Sequence, residues 1–417
     1  MRDAAGFRGR CRVLRLTHCA ARLTAVSLFI FTLRRWLLLL AALRPKPDRF
    51  PQTCQVFRIL LLVPFYNEEN NLPGLLSHLD RVAYPAEYLT IVLVDDGSTD
   101  GASLAARRWV AQRPSRHLLT LPRNVGKAAA LNAALSRFPQ GDLIAVYDAD
   151  ERPSPDTLRQ LAACFVDERV GAVNGRRAIS NPLDSPMATY AAFENLVHEQ
   201  ITMRGKDRLR LAPALLGSNC VYRRAALKDA GGFRPGALLE DTEITLKLAQ
   251  AGWETRYVSA AVSHHAVPHT IAGYWRQRLR WSCGFQDAAR LHAADILRDG
   301  RLSLPLRLEL TLFSFGYLDR LFLLTGLALC CVLHIAANRN GLSFRGIEES
   351  FAYAGKRFLT LSLTASLLTP LFQVIVALRL VRAPLALWRR VILLPFFLGL
   401  DILITLVSFW QKRLFER

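Results

Sequence analysis

Four groups of residues in this chain have the types and spacing for chemistry. The first is Tyr147-Asp148-Ala149-Asp150-Glu151, which follows the apolar run LIAVY. Two carboxylates flanking one residue at a strand end can face one hard cation, and oxygen-rich sites suit Mg²⁺ or Mn²⁺, ions that bind phosphate-bearing substrates. Taken alone, such a pair is most often a solvated turn. The second is VDDGSTD, where Asp95 and Asp96 end an apolar strand and Gly97 turns the chain. In isolation it reads equally as an Asp-rich turn with Ser98 or Asp100 capping the next helix. The third is LEDTEIT, with Glu240, Asp241 and Glu243. A carboxylate here can act as general base towards a hydroxyl, or can simply favour a helix N-terminus. The fourth is Gln277-Arg278-Leu279-Arg280-Trp281. In a helix, Gln277, Arg280 and Trp281 share one face. Amide, guanidinium and indole together suit a diphosphate leaving group and a stacked sugar ring, while a basic helix on a membrane surface is the other reading.

The elements that must position these groups alternate. ILLLVPF reads as a buried strand, followed by a helix over 72–81, the strand LTIVLVD, a helix over 102–112, the short strand HLLTLP, the helix KAAALNAALSRF and the strand DLIAVY. Alternation of this kind implies a doubly wound, mostly parallel α/β sheet, whose ligands bind at the carboxyl ends of the strands. Those ends are acidic: Glu68-Glu69, Asp95-Asp96, and Asp148 with Asp150. No GxGxxG or GxxxxGK[ST] is present, so dinucleotide and P-loop readings lose support.

Composition sets the setting. The chain has 417 residues, is 51% apolar, and carries a net charge of +20 from 54 basic and 34 acidic residues. Mean hydropathy is +0.17. Such a chain is not disordered. Apolar blocks near both ends, at 23–43, 310–337, 358–381 and 391–410, also argue against a purely soluble protein. Eight scattered cysteines, Cys11, Cys19, Cys54, Cys164, Cys220, Cys283, Cys330 and Cys331, form no CxxC pair, so reduced and mostly buried thiols are expected. Arg379, Arg382, Arg389 and Arg390 place the loop between the last two blocks on the cytoplasmic side. The N-terminal arginines 2, 8, 10, 12, 15 and 22 conflict with a simple crossing at 23–43, which Arg34-Arg35 interrupt. That segment is therefore either a span or an interfacial helix.

The motifs VPFYNEE, VDDGSTD, RNVGKAAALNAAL, DAD, GSNCVYRRAALKDAGGF, ED and QRLRW occur in this order over residues 61–281. Together they resemble the family 2 glycosyltransferases. More narrowly, the chain looks like the membrane-embedded synthases of chitin, poly-N-acetylglucosamine, hyaluronan and cellulose, for which Gln-x-x-Arg-Trp is highly specific. The resemblance implies a GT-A fold and inverting transfer from a UDP-sugar, UDP-GlcNAc or UDP-glucose, with Mg²⁺ or Mn²⁺. By motif match, Asp96 would contact the nucleotide base, and Asp148 and Asp150 would hold diphosphate and metal. Lys127 would lie near the donor, Asp241 would be the base, and Gln277 and Arg280 would hold the leaving diphosphate. Trp281 would stack beneath the acceptor sugar, with Gly217, Ser218 and Asn219 lining the acceptor side. Arg278 is also expected to face UDP. The chain departs from the family wording at Leu239, where Thr is usual, and at HAVPHT, which brings in His264, His265 and His269 as polar loop residues or as neighbours of metal or phosphate. The regulatory domain and gating-loop motif of bacterial cellulose synthases are not found.

The expected organisation is a basic tail (1–22), a membrane or interfacial helix (23–43), a glycosyltransferase domain (53–285), an interfacial helix region (286–309) and C-terminal transmembrane helices at 310–337, 358–381 and 391–410. This would be a multi-pass enzyme of the inner or plasma membrane, with the lipid bilayer as partner of its helices and a cytoplasmic catalytic domain. The acceptor is a growing polysaccharide or, alternatively, a lipid that receives one sugar. So few helices make a thin tunnel wall, so a partner subunit or homo-oligomer is expected. A nucleic-acid binder would leave seven motifs unexplained, and no nucleic-acid partner is expected.

Overall fold

The computed structural model describes residues 2–45, 55–339 and 347–410. Cys54 lies outside them, as do the side chains of Cys11 and of arginines 2, 8, 10, 12 and 15. In chain order the elements begin with α1 (Arg2–Leu43), β1 (Ile59–Phe65), α2 (Leu72–Leu79), β2 (Leu89–Asp95), α3 (Ala102–Val110), β3 (Arg116–Thr120), α4 (Lys127–Arg137), β4 (Leu143–Val146), β5 (Arg152–Pro153) and α5 (Thr157–Ala162). They continue with β6 (Val170–Ile179), α6 (Pro186–Val197), a π-helical turn (His198–Met203), α7 (Arg204–Leu209), β7 (Cys220–Arg223), α8 (Arg224–Asp229), α9 (Glu240–Gln250) and β8 (Glu254–His265). The C-terminal part is helical: α10 (Ile271–Arg298), α11 (Leu304–Ser314), α12 (Leu318–Arg339), α13 (Ile347–Leu380), α14 (Leu385–Arg389) and α15 (Leu394–Trp410).

One sheet of order β3-β2-β1-β4-β7-β6-β8-β5 runs through the domain. Strands β3, β2, β1 and β4 are mutually parallel, with Ile59 of β1 opposite Leu89 of β2 and Leu143 of β4. β7 runs antiparallel to β4 and β6, β8 is parallel to β6, and β5 closes the edge antiparallel to β8. β1 is buried along its whole length, because both faces are covered. Ile59, Leu61 and Val63 pack with α2, α3 and α5 on one side; Leu60 and Leu62 pack with α4, α8 and α9 on the other. This explains why its sequence is a continuous apolar run rather than an alternating one. The sheet is the expected α/β arrangement, with an antiparallel break at β7.

Among the described residues, four helical stretches are long and apolar enough to cross a membrane: Leu16–Leu43, Leu318–Ile335, Gly355–Leu380 and Leu385–Trp410. Three of them start earlier than the sequence reading, at 16, 355 and 385 rather than 23, 358 and 391, and the helices around the fourth are divided differently. α10 continues as one helix to Arg298, taking in the first part of the 286–309 region. A turn over 315–317 separates α11 from α12 inside the stretch 310–337. None of the six cysteines with described side chains is in a disulfide; Cys164, Cys220 and Cys283 are buried, whereas Cys19 and Cys331 are exposed on apolar helices. The interruption Arg34-Arg35 in α1 is paired: Arg34 meets Glu309 of α11 at 2.7 Å, and Arg35 pairs with Asp319 of α12. Lys206 of α7 joins the same Glu309 at 2.9 Å. An unpaired charge in an apolar helix is costly, and these partners remove that cost.

Candidate active site

The carboxyl ends of β1, β2 and β4 open on the same side of the sheet, and the acidic turns emerge there. After β2, Asp95 accepts from the Ser98 N–H at 2.8 Å, closing the turn. Gly97 is required in it: its φ is +77°, and a Cβ would sit 2.7 Å from the Arg123 carbonyl carbon. Asp96 is buried, and its two oxygens accept from the Val125 and Gly126 N–H groups at 2.8 and 2.9 Å. It thus fastens the loop that starts α4 and delivers Lys127.

Lys127 is the hub. Its Nζ lies 2.7 Å from Asp148 Oδ1, 3.0 Å from Glu240 Oε1 and 2.8 Å from the Gly217 carbonyl, to which it donates. Burial alone would lower the Lys127 pKa, but Asp148 and Glu240 overcome it and hold the ammonium charged. A Cβ on Gly217, whose φ is +71°, would lie 3.1 Å from Asp241 Oδ2, 3.1 Å from Lys127 Nζ and 3.3 Å from Glu240 Oε1. Only glycine leaves that space open, so Asp148, Lys127, Gly217, Glu240 and Asp241 form one cluster from four parts of the chain. The Asp241 carboxyl is pushed up to about 6 by burial and then by Glu240, with Lys127 and Arg280 pulling the other way.

The Asp148-Ala149-Asp150 turn is supported from behind. The Asp148 N–H donates to Ser218 Oγ at 2.8 Å. Arg177 of β6 reaches Asp148 Oδ2 at 3.7 Å, pairs with the fully buried Glu151 and donates to the Leu216 carbonyl at 3.2 Å. Glu199, in the π-helical turn, accepts from the Arg177 N–H; burial pushes its carboxyl up to about 8 despite Arg176. Burial raises the Asp150 pKa, and Asp148 adds to it; Glu68 is raised by burial and then by Asp150 and Asp148. These carboxylates therefore repel one another across the mouth of the site.

Ser218 and Asn219 are fully buried. Asn219 donates to the Arg176 and Ala261 carbonyls at 3.0 and 3.1 Å, tying β6 to the bulge in β8. In α10, Gln277 and Trp281 are half-buried and Arg280 is exposed, its guanidinium donating to the Leu238 carbonyl at 3.3 Å. Arg278 does not face this cleft, contrary to the sequence expectation. It is buried, pairs with Glu194 at 2.7 Å and stacks on Tyr274 and Trp281 at 4.8 and 4.1 Å. The helical step from 277 to 278 rotates it by about 100° off the face that carries Gln277 and Arg280. His264 and His265 end β8, and burial, followed by Arg177, lowers the His265 pKa. Among the described residues no group of three or more His, Cys, Asp or Glu is arranged to hold a metal.

Residues 57–284 match the sequence profile described as "Glycosyltransferase like family 2". The chain belongs to that family. Its curated relatives carry glycosyltransferase names. It is 29% identical over 233 residues to the probable glycosyltransferase YdaM of Bacillus subtilis (strain 168), covering 55% of each chain. It is 32% identical over 259 residues to an N-acetylglucosaminyltransferase of Rhizobium meliloti (strain 1021), covering 59% of this chain and 57% of that one. A probable glucomannan 4-beta-mannosyltransferase 1 of Arabidopsis thaliana is 26% identical over 267 residues, with 62% and 47% covered. The chain thus spans about half the length of these relatives. The mannosyltransferase PcManGT from Pyrobaculum calidifontis, solved with GDP-Man and Mn²⁺, superposes with a TM-score of 0.60 at 24% identity, over 83% of this chain and 99% of that one. That likeness establishes the GT-A fold.

Arg177 and Glu199 are site neighbours that sequence reasoning missed, whereas Glu68 and Glu151 lie in acidic turns that it singled out. Glu151 directly follows the Asp-Ala-Asp turn and Glu68 sits in VPFYNEE, so position pointed to both. Nothing local distinguished Arg177 or Glu199 from other charged residues.

Proposed function

We propose that the enzyme transfers a sugar from a UDP-sugar, UDP-GlcNAc or UDP-glucose, to a hydroxyl of a growing polysaccharide at a membrane, with inversion. The observation that carries this reading is the Asp241 carboxyl. It abuts the Gly217 gap beside Lys127, and its pKa of about 6 suits a base at neutral pH. The acceptor hydroxyl oxygen attacks the anomeric carbon, the bond from that carbon to the phosphate oxygen breaks, and the hydroxyl proton passes to Asp241. UDP leaves with the electron pair, its charge met by Lys127, Arg280 and Gln277.

Asp148 and Asp150 suit a divalent cation. Their mutual repulsion, shared by Glu68, is relieved by positive charge, and two carboxylates leave positions for diphosphate oxygens. Mg²⁺ or Mn²⁺ held there would neutralise charge on the leaving diphosphate. Asp96 contributes by holding the Lys127 loop against the donor end of the sheet. Gly217 opens the acceptor side, with Ser218 and Asn219 fixing its backbone, and Trp281 offers the ring on which an acceptor sugar stacks.

A single addition to a lipid is the second reading. It is favoured by α15, an apolar helix that runs beside the α10 segment bearing Trp281. Incubating membranes with radiolabelled UDP-GlcNAc, UDP-glucose and GDP-mannose, then sizing the product, separates the two: a ladder against one lipid glycoside. Asp241→Asn is expected to abolish transfer and retain UDP binding. Loss of UDP binding in a folded variant would refute the base assignment.

A further inference from the structure

Apolar helices rarely carry ionised residues without a purpose, and here such residues converge on the back of the QRLRW segment. Asp401, in the middle of α15, accepts from the Tyr190 hydroxyl of α6 at 2.7 Å and lies 2.7 Å from the Tyr274 hydroxyl of α10. Arg320, at the start of α12, lies 3.6 Å from Asp401, 3.8 Å from Glu194 of α6 and 3.1 Å from Asp319. Asp319 in turn holds Arg35 of α1. Glu194 pairs with Arg278 at 2.7 Å and accepts from Tyr274. Three arginines face three acids, so the cluster is balanced in charge although buried. Two turns further along α15, Ser408 meets Ser282 and Gln286 of α10 at 2.8 Å each.

The cluster ends on a ring. Arg278, fixed by Glu194, stacks its guanidinium against the Trp281 indole at 4.1 Å. A planar cation held by a carboxylate sets both the depth and the tilt of a ring packed on it. Glu194 is carried by α6 of the catalytic domain, and from the apolar helices Arg320 of α12 lies 3.8 Å from it while Asp401 of α15 meets the same Tyr274 hydroxyl; Gln277 and Arg280 stand on another face of α10.

We propose that Arg278, held by Glu194 of α6, is a positioning residue for Trp281, and that Asp401 and Arg320 set this pair's place from the apolar helices, so that the acceptor platform is aligned through the membrane-type part of the chain. This rests on the reading of Trp281 as the acceptor's stacking ring. The positioning itself can be tested without turnover.

The test uses the full-length protein in lipid nanodiscs, labelled with 5-fluorotryptophan, with the Trp281 resonance assigned by Trp281→Phe. Glu194→Gln and Asp401→Asn are expected to shift or broaden the Trp281 fluorine resonance. Trp109 and Trp253, in the sheet domain, should not move, and UDP affinity by calorimetry should stay within about twofold. With UDP-GlcNAc and N,N′-diacetylchitobiose as probes, acceptor KM should rise about tenfold while donor KM holds. Arg278→Lys keeps the charge and loses the planar face, so it should behave like Arg278→Gln. An unmoved Trp281 resonance, a wild-type response from Arg278→Lys, or a parallel rise in both KM values would overturn the proposal. A moved resonance with no transfer to any acceptor would leave the positioning standing and remove the acceptor reading instead.

Discussion

A base with a pKa near 6 leaves a mark on the rate that its neighbours can move. Asp241 works ionised, so kcat/KM should be flat above about pH 7 and fall as pH drops through about 6. At pH 5 roughly one site in eleven still holds an ionised base, a loss of about tenfold. Two substitutions should displace this limb in opposite directions. The Gly217 geometry places Lys127 Nζ and Asp241 Oδ2 within about 6 Å of each other. At an effective dielectric of about 20, that attraction is about 3 kcal/mol, or about two pH units before solvent screening. Lys127→Gln withdraws it, so the carboxyl becomes harder to ionise and the limb moves up by about one to two units. Glu240→Gln withdraws a like charge, and the limb moves down. Initial rates with radiolabelled donor across pH 4.5 to 9 measure all three. Weaker donor binding in Lys127→Gln lowers the plateau but not the position of the limb. A limb that stays in place in both variants, or moves down in Lys127→Gln, would refute Asp241 as the titrating base.

Two further outcomes follow from the surrounding contacts. Asn219→Ala leaves the Arg176 and Ala261 carbonyls unpaired in the core, and should cost about 2–4 kcal/mol, read as a lower midpoint of thermal unfolding in detergent. Chelation of divalent ions should abolish transfer, Mn²⁺ or Mg²⁺ should restore it, and Asp150→Asn should raise the half-saturating metal concentration by about tenfold, read by metal titration of the rate.

The parallel half of the sheet was legible because strands buried on both faces leave unbroken apolar runs. The half from β6 to β8 was not, since its ladder mixes directions and pairs residues some 80 apart, such as Arg176 with Val262. Among the site residues, Lys127, Asp148, Gly217 and Asp241 meet as their motif order implies. Asp96 and Asn219 show where residue type runs out: each binds backbone groups distant in sequence, partners that residue type and spacing do not name. Arg278 shows the same limit. Helical spacing separates it from Gln277 and Arg280, but its partner Glu194 lies 84 residues upstream.

The register of α1 bears on which side of a membrane each end occupies. Arg35 pairs with Asp319, Phe31 packs on Phe322, and Leu28 touches Gly326, so α1 and α12 run antiparallel. Phe29 packs on Phe358, Thr32 bonds Ser366 at 2.7 Å, and Trp36 packs on Phe372, so α1 and α13 run parallel. The Arg34-Arg35 pair, in the C-terminal part of α1 and followed by Trp36–Leu43, is held beside the catalytic domain through Glu309 and Lys206. From there the apolar stretch back to Leu16 rises by about 27 Å, close to the roughly 30 Å of a hydrocarbon core. Arg390 also reaches the catalytic side, donating to the Leu183 carbonyl and Thr189. With α1 crossing in this register, its N-terminal end emerges on the face opposite the catalytic domain, despite its arginines. A tag fused at the N-terminus should then be cut by protease added to one orientation of sealed vesicles, and the catalytic domain only in the other. Cleavage of both in the same orientation would show that α1 lies along the interface instead, with Arg34 and Arg35 as its anchor.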